Sequence, residues 1–155
     1  MNVLLLSAGY GKRLFPLTKN NPKCLVKVNG ITILDYWIEK LSKLKIKQIF
    51  INTHYLSDKV NTHIQKNYKN KKINLIFEKS LLGTAGTLIK NYNYFKNDNL
   101  LLIHTDTYVE EDLSKFLLAH NSRPKKTEVT MMTFKTNYPK SCGILEVDQK
   151  NRILK

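Results

Sequence analysis

Apolar residues along this chain switch repeatedly between the rhythm of strands and the rhythm of helices. Short apolar runs at Val3–Leu6, Lys47–Thr53, Ile73–Phe77 and Leu100–His104 predict strands, the first continuous enough to be buried on both faces. Between them, Leu34, Trp37, Ile38 and Leu41 form one stripe of a helix that Thr32 is placed to cap. Ser57-Asp58 opens a second helix with Val60 and Ile64 inward. The turn Leu82-Gly83-Thr84-Ala85-Gly86 leads into a third helix carrying Leu88, Tyr92 and Phe95, and Leu113, Phe116, Leu117 and His120 mark a fourth. A short extended piece, Leu25–Val28, turns at Asn29-Gly30. Val129–Lys135 alternates as a strand. Cys142–Val147 and Arg152–Lys155, joined by a turn at Asp148–Asn151, read as a hairpin.

Strands alternating with helices at this spacing predict an α/β, Rossmann-like domain. Its sheet is doubly wound and mainly parallel, with right-handed crossovers and flanking helices. No internal repeat or low-complexity linker interrupts the pattern, so residues 1–155 read as one domain. In such a sheet, ligands bind beyond the carboxyl ends of the strands. Three polar loops fall there: the one after Leu6, the segment Glu78–Gly86, and Thr105-Asp106.

Composition narrows the function. With 42% hydrophobic and 10% aromatic residues, the 155-residue chain can bury a core. The opening apolar run is too short to span a membrane and has no basic region before it, so neither a membrane anchor nor a signal peptide is expected. Cys24 and Cys142 form no metal spacing and no disulfide framework, which suits a reducing cytoplasm. The formal charge is +14, from 26 basic and 12 acidic residues. Many of the lysines sit in solvated Asn/Lys turns such as Tyr68–Lys72, and no aromatic-basic interleaving marks a nucleic-acid surface. A positive field instead favours encounter with small polyanions.

The chemistry concentrates in Ser7-Ala8-Gly9-Tyr10-Gly11-Lys12-Arg13, followed by Pro16-Leu17-Thr18 and Pro22-Lys23. Glycines let bare backbone N–H groups approach phosphate oxygens, and the cations neutralise them. Leu14 stands where the dinucleotide fingerprint needs a third glycine, which disfavours a nicotinamide enzyme, and no Walker Gly-Lys-Ser/Thr follows. The ordered string Gly-x-Gly-x-Arg, Pro-x-Thr, Pro-Lys resembles the signature of the sugar-1-phosphate nucleotidylyltransferases, and the similarity extends over the whole chain. It is nearest in style to the mannose- and heptose-1-phosphate guanylyltransferase-like members. Lys12 departs from the usual Thr or Ser, and Cys24 from a frequent Pro; neither change removes a phosphate ligand.

The resemblance implies transfer of a nucleotidyl group from an NTP to a sugar 1-phosphate with release of pyrophosphate and Mg²⁺ as cofactor. It implies that Ser7, Ala8, Gly9, Gly11, Lys12 and Arg13 hold the nucleotide, with Arg13 on the β- and γ-phosphates. It further implies that Lys23 bridges nucleotide and sugar phosphate, that Asp106 is a metal ligand, and that Gly143 meets the sugar. Glu78, Gly83 and Thr84 resemble the base-reading loop, in a form familiar from GDP-mannose and GDP-heptose enzymes with close uridylyl variants. Taken alone, Asp106 reads equally as a helix cap, Thr84 as an N-cap and Gly143 as a bulge. Glu110, Glu111 and Asp112 read as first-turn carboxylates matched to a helix dipole. Among the histidines, His104 alone stands beside a candidate site residue.

Family members continue beyond the equivalent of Lys155 with a sugar-binding strand and a second acidic metal ligand, so the chain is expected to be the N-terminal portion of the family domain. A non-catalytic nucleotide-binding module is the alternative that this expectation raises. The base, the sugar and the oligomeric state, a homo-oligomer included, stay open.

Overall fold

Strand β1 (Asn2–Leu6) is buried along nearly its whole length, as a run without polar alternation requires. In the computed structural model, which describes residues 1–154, it is one of the two inner strands of a four-stranded sheet ordered β5-β4-β1-β6, with β4 spanning Gln48–Thr53, β5 Ile73–Phe77 and β6 Leu100–His104. All three pairings are parallel, in register Leu4–Phe50 and Leu4–Leu102 across β1. Parallel neighbours need crossovers, and helices supply them. Helix α1 (Ile33–Ser42) joins β1 to β4, α2 (Ser57–Tyr68) joins β4 to β5, and α3 (Gly83–Lys90) with α4 (Tyr92–Phe95) joins β5 to β6. The small antiparallel pair β2 (Lys27–Val28) and β3 (Ile31–Thr32) turns at Asn29-Gly30. This is the expected α/β architecture, with a mainly parallel sheet flanked by helices.

The chain runs outward from β1 to β4 and β5, then returns to the other side of β1 as β6. Strand order therefore reverses at β1/β6, the place where open sheets leave a crevice beyond their carboxyl ends. Alternate residues face opposite sides of the sheet. Leu4 and Phe50 pack with Phe95, joined by Leu6, Ile76, Leu88, Leu100 and Leu102. The α1 stripe of Leu34, Trp37, Ile38 and Leu41 is buried throughout, and Val60 and Ile64 are the buried residues of α2. Thr32 caps α1 by accepting from the Asp35 amide at 3.0 Å.

The expected glycine turn at 82–86 is shorter than its residues suggest. Helix α3 begins at Gly83, so Thr84 lies inside the helix, and the Leu82 cap position has no side-chain cap bond. The helical run then breaks at Asn91, whose side-chain amide donates to the Thr87 carbonyl at 2.8 Å and competes with continued helix. Phe95 is buried on α4, whereas Tyr92 is exposed.

Clustering of contacts divides the chain into two units, Met1–Glu110 and the residues from Glu111 on. In the second, α5 (Leu113–Asn121) buries Leu113 and is capped by Asp112, which accepts from the Ser114 amide at 2.8 Å. Asp112 is therefore a cap and not a first-turn residue. The strand expected over Val129–Lys135 is absent among the described residues, and Val129 and Phe134 are more than 70% exposed. Alternation marks a face, but a strand also needs a neighbour to complete its ladder. The terminal hairpin forms only at its turn. Asp148 Oδ1 accepts from the Lys150 and Arg152 amides, Asn151 takes φ +57°, and a single bridge pairs Val147 with Ile153. Lys155, the last position of that hairpin, lies outside the described residues.

Ile51, fully buried at the centre of β4, tests the core directly. Ile51→Ala should lower unfolding free energy by about 2–5 kcal/mol, read from urea denaturation. A loss well under 1 kcal/mol would mean that the sheet is not packed as described.

Candidate functional site

Each strand of the sheet hands over to a polar residue at its carboxyl end, and these residues bond to one another. Asn52 on β4 accepts from the Ser7 amide, just after β1, at 2.6 Å through Oδ1. Its Nδ2 donates to Glu78 Oε1, after β5, at 2.9 Å. Ser7 Oγ donates to Thr105 Oγ1, after β6, at 3.2 Å, and the Thr105 hydroxyl in turn donates to the Leu6 carbonyl at 2.8 Å. Glu78 is almost completely buried and forms no ion pair among the described residues. Its Oε1 also accepts from the Thr87 hydroxyl at 2.5 Å, and its Oε2 accepts from the Leu82 amide at 3.3 Å, at the start of α3. A buried carboxylate needs several donors, and these are they.

Above this row lies a cavity of about 370 Å³, within the range of about 300–1,000 Å³ usual for small-molecule sites. Its walls come from the loop after β1, from the start of α3 and from the segment after β6. Of the residues expected at a site, Ser7, Ala8, Gly9, Gly11, Lys12, Arg13, Lys23, Glu78, Gly83, Thr84 and Asp106 all line it. Gly143 belongs to the second unit and is not among the lining residues. The glycine loop is held shut from below. Gly11 has φ +65°, and a Cβ there would approach Thr18 Cγ2 to 3.0 Å and Lys23 Cβ to 3.2 Å. Thr18, fully buried, donates its hydroxyl to the Gly11 carbonyl at 2.8 Å, which gives the Pro-x-Thr motif a bracing role.

Lys12 and Arg13 are exposed and make no ion pair among the described residues; the Lys12 ammonium lies 5.5 Å from the Tyr10 ring centre. Lys23 instead donates to Asp106 Oδ2 in an ion pair. Burial pushes the Asp106 carboxyl up. The hydrogen bond and charge of Lys23, with help from the charge of His104, outweigh burial and hold it below its ordinary 3.8. Asp106 is thus neither a helix cap nor an idle surface carboxylate, and a carboxylate kept ionised is the donor a hard cation takes. Among the described residues, no cluster of three or more His, Cys, Asp or Glu could hold a metal by itself. Cys24 lies beneath the loop, where burial pushes its thiol up to about 12 and leaves it no nucleophile.

Sequence reasoning missed Asn52 as part of this site, and placed Thr105 in a candidate loop without giving its side chain a role. The available signal was a polar residue within or just beyond the carboxyl end of each apolar strand. His54, read only as the end of a strand, joins two of the loops: its Nδ1 lies 2.8 Å from the Glu78 carbonyl and its Nε2 3.1 Å from the Tyr10 hydroxyl. His104 does line the cavity.

Comparison with known proteins identifies the family. The nucleotidyl transferase family matches residues 2–155. This chain belongs to that family. Similar members include a Sulfolobus acidocaldarius protein described as a mannose-1-phosphate guanyltransferase, 31% identical over 149 residues, which are 96% of this chain and 41% of the relative. The CTP:phosphoglutamine cytidylyltransferase of Campylobacter jejuni is 45% identical over 71 residues, 46% of this chain and 26% of its own length. The crystal structure of HddC from Yersinia pseudotuberculosis complexed with GMP-PN superposes with TM-score 0.68 at 28% identity, over 78% of this chain and 54% of HddC. The chain therefore spans about two fifths of the first relative's length and about half of HddC. No helix among the described residues is long and apolar enough to cross a membrane.

Two outcomes follow for this nucleotidyl transferase family member. Glu78→Gln should cost about 1–3 kcal/mol in urea unfolding, because an amide nitrogen must then face a donor on one side or the other; unchanged stability would deny the network. Lys23→Met should raise the pKa of Asp106, followed by carboxyl NMR, since burial would then be opposed mainly by His104. The sign for stability follows from the depressed value. The Lys23–Asp106 contribution is complete above pH 3.8 and is lost as pH falls through the lower folded-state value.

Proposed function

We propose that this protein transfers a nucleoside monophosphate from an NTP to a sugar 1-phosphate, forming an NDP-sugar and releasing pyrophosphate. One observation carries the reading: two ammonium groups, a guanidinium, a carboxylate and the exposed backbone of a glycine loop share one cavity at the reversal of strand order. The sugar phosphate is already ionised at neutral pH, so the reaction needs no general base. What it needs is in-line alignment and neutralisation of several phosphate charges.

In this reading the backbone of Ser7, Ala8, Gly9 and Gly11 lies along the nucleotide, and Arg13 and Lys12 neutralise the departing pyrophosphate. A guanidinium suits that task because it can hold phosphate oxygens in pairs. Lys23 leaves Asp106 to sit between the reacting phosphates. Asp106 would hold the divalent cation, for which we propose Mg²⁺, and the ion would supply charge neutralisation along the phosphates. Glu78 braces Leu82 and, through it, the Gly83-Thr84 start of α3, where the base would be read. Gly143 is proposed to meet the sugar. The family match crosses both units, which supports residues 1–155 as belonging to a single nucleotidyltransferase domain, and we propose the cytoplasm as its setting.

GTP with mannose or heptose 1-phosphate is our first pairing, supported by the Gly-Thr-Ala-Gly loop and by similarity to HddC, and UTP is the next. The 45% identity to a cytidylyltransferase makes CTP with a non-sugar phosphate the pairing to test beside it. A non-catalytic nucleotide-binding or regulatory module of the same fold is the second reading.

The test is pyrophosphate release from four NTPs against a panel of sugar 1-phosphates and non-sugar phosphate monoesters, run beside nucleotide binding. Release with one pairing supports transfer; binding without release supports the module. Lys23→Ala and Asp106→Asn should each cut turnover about a hundredfold or more. The half-exposed ion pair contributes only about 1 kcal/mol or less to stability, so both variants should stay folded. Full release by Lys23→Ala would remove that residue from the mechanism.

A further inference from the structure

We propose that Trp37 is a positioning residue whose indole N–H fixes the backbone presenting Asp106. The inference rests on the reading above, in which Asp106 faces the nucleotide and its cation. Trp37 lies on the apolar stripe of α1 and is almost completely buried, so its shape alone suits the core. Its Nε1, however, donates to two carbonyls, those of Thr105 at 3.2 Å and Thr107 at 3.1 Å. These are the residues on either side of Asp106. One indole hydrogen shared between them pins the chain at both flanks of the carboxylate.

The same turn is closed from within by the Thr107 amide, which donates to the His104 carbonyl at 3.0 Å. Helix α1 extends the hold further along the segment. The Tyr36 hydroxyl donates to the Val109 carbonyl, Lys40 Nζ donates to the carbonyls of Val109 at 2.6 Å and Glu110 at 3.2 Å, and the Tyr36 ring stacks on Tyr108 at 4.4 Å. Three side chains of one helix face therefore bind backbone oxygens of residues 105–110. A helix whose only task was to cover the sheet would need no donors there. Because a buried carbonyl without a partner is costly, the segment stays where the indole and its neighbours hold it. A carboxylate on such a segment meets phosphate and cation without having to be ordered first.

The experiment compares three variants of the whole protein. Trp37→Phe keeps an aromatic ring but loses the N–H. Ile38→Val, also buried on α1, loses core packing and keeps the indole. Asp106→Asn tests the reading on which the proposal stands. Backbone hydrogen exchange over residues 103–109 and the Mg²⁺-dependent gain in affinity for a fluorescent GTP analogue are measured for each. Trp37→Phe should speed exchange in that segment and reduce the Mg²⁺-dependent gain about tenfold or more, with metal-free nucleotide affinity kept. Ile38→Val should change neither selectively.

Exchange in Trp37→Phe no faster than in Ile38→Val would overturn the positioning role, and so would an undiminished Mg²⁺-dependent gain while Asp106→Asn has lost it. If Asp106→Asn itself keeps the full gain, the role given to Asp106 fails and the proposal falls with it. Exchange at 103–109 then still reports whether the indole holds the turn.

Discussion

A row of hydrogen bonds across the carboxyl edge of the sheet is the constraint on which the site depends. Parallel strands leave their carboxyl ends in register, but nothing in strand pairing ties together the loops that follow. Here Glu78, Asn52, Ser7 and Thr105 do so, one at the carboxyl end of each strand, mostly out of water. The orientation of the Asn52 amide is dictated, since its oxygen must meet the Ser7 amide and its nitrogen the Glu78 carboxylate. Networks of this kind hold firmly when complete and fail together when one member is lost. The glycine loop, the start of α3 and the Asp106 segment are thereby parts of one frame.

On that frame the charges are arranged for exchange. Lys23 and Asp106 satisfy each other, while Lys12 and Arg13 reach into solvent at the rim. A phosphate arriving at Lys23 and a cation arriving at Asp106 would each replace one half of an existing ion pair, so neither half has to wait uncompensated in a partly buried place. The same logic keeps Cys24 out of the chemistry: beneath the loop, its thiol holds its proton and serves as filling.

Much of this was legible in the sequence where the physics is local. The α1 stripe, the Thr32 cap, the four sheet strands and the cations of the glycine loop depend on spacing a few residues long. Their outcome matched the pattern closely. What depended on distant partners was harder to see. Thr84 suggested a cap because it stands near a helix start, but Glu78 organises that start from outside the helix. Val129–Lys135 alternates as a strand would, and alternation could not supply the neighbour that a ladder requires. Asn52 and Thr105 carry no motif of their own. Their roles exist only once β4, β1 and β6 lie side by side. Trp37 was legible as core and illegible as a donor, because its partners lie some seventy residues away.

The chain contains one tryptophan, and it is this buried indole. Ultraviolet emission from the protein therefore originates almost wholly from a chromophore bonded to the two carbonyls beside Asp106. Its wavelength and its quenching by dissolved iodide report on a single turn of backbone. The molecule carries its own optical gauge behind the Asp106 turn, with no dye to attach.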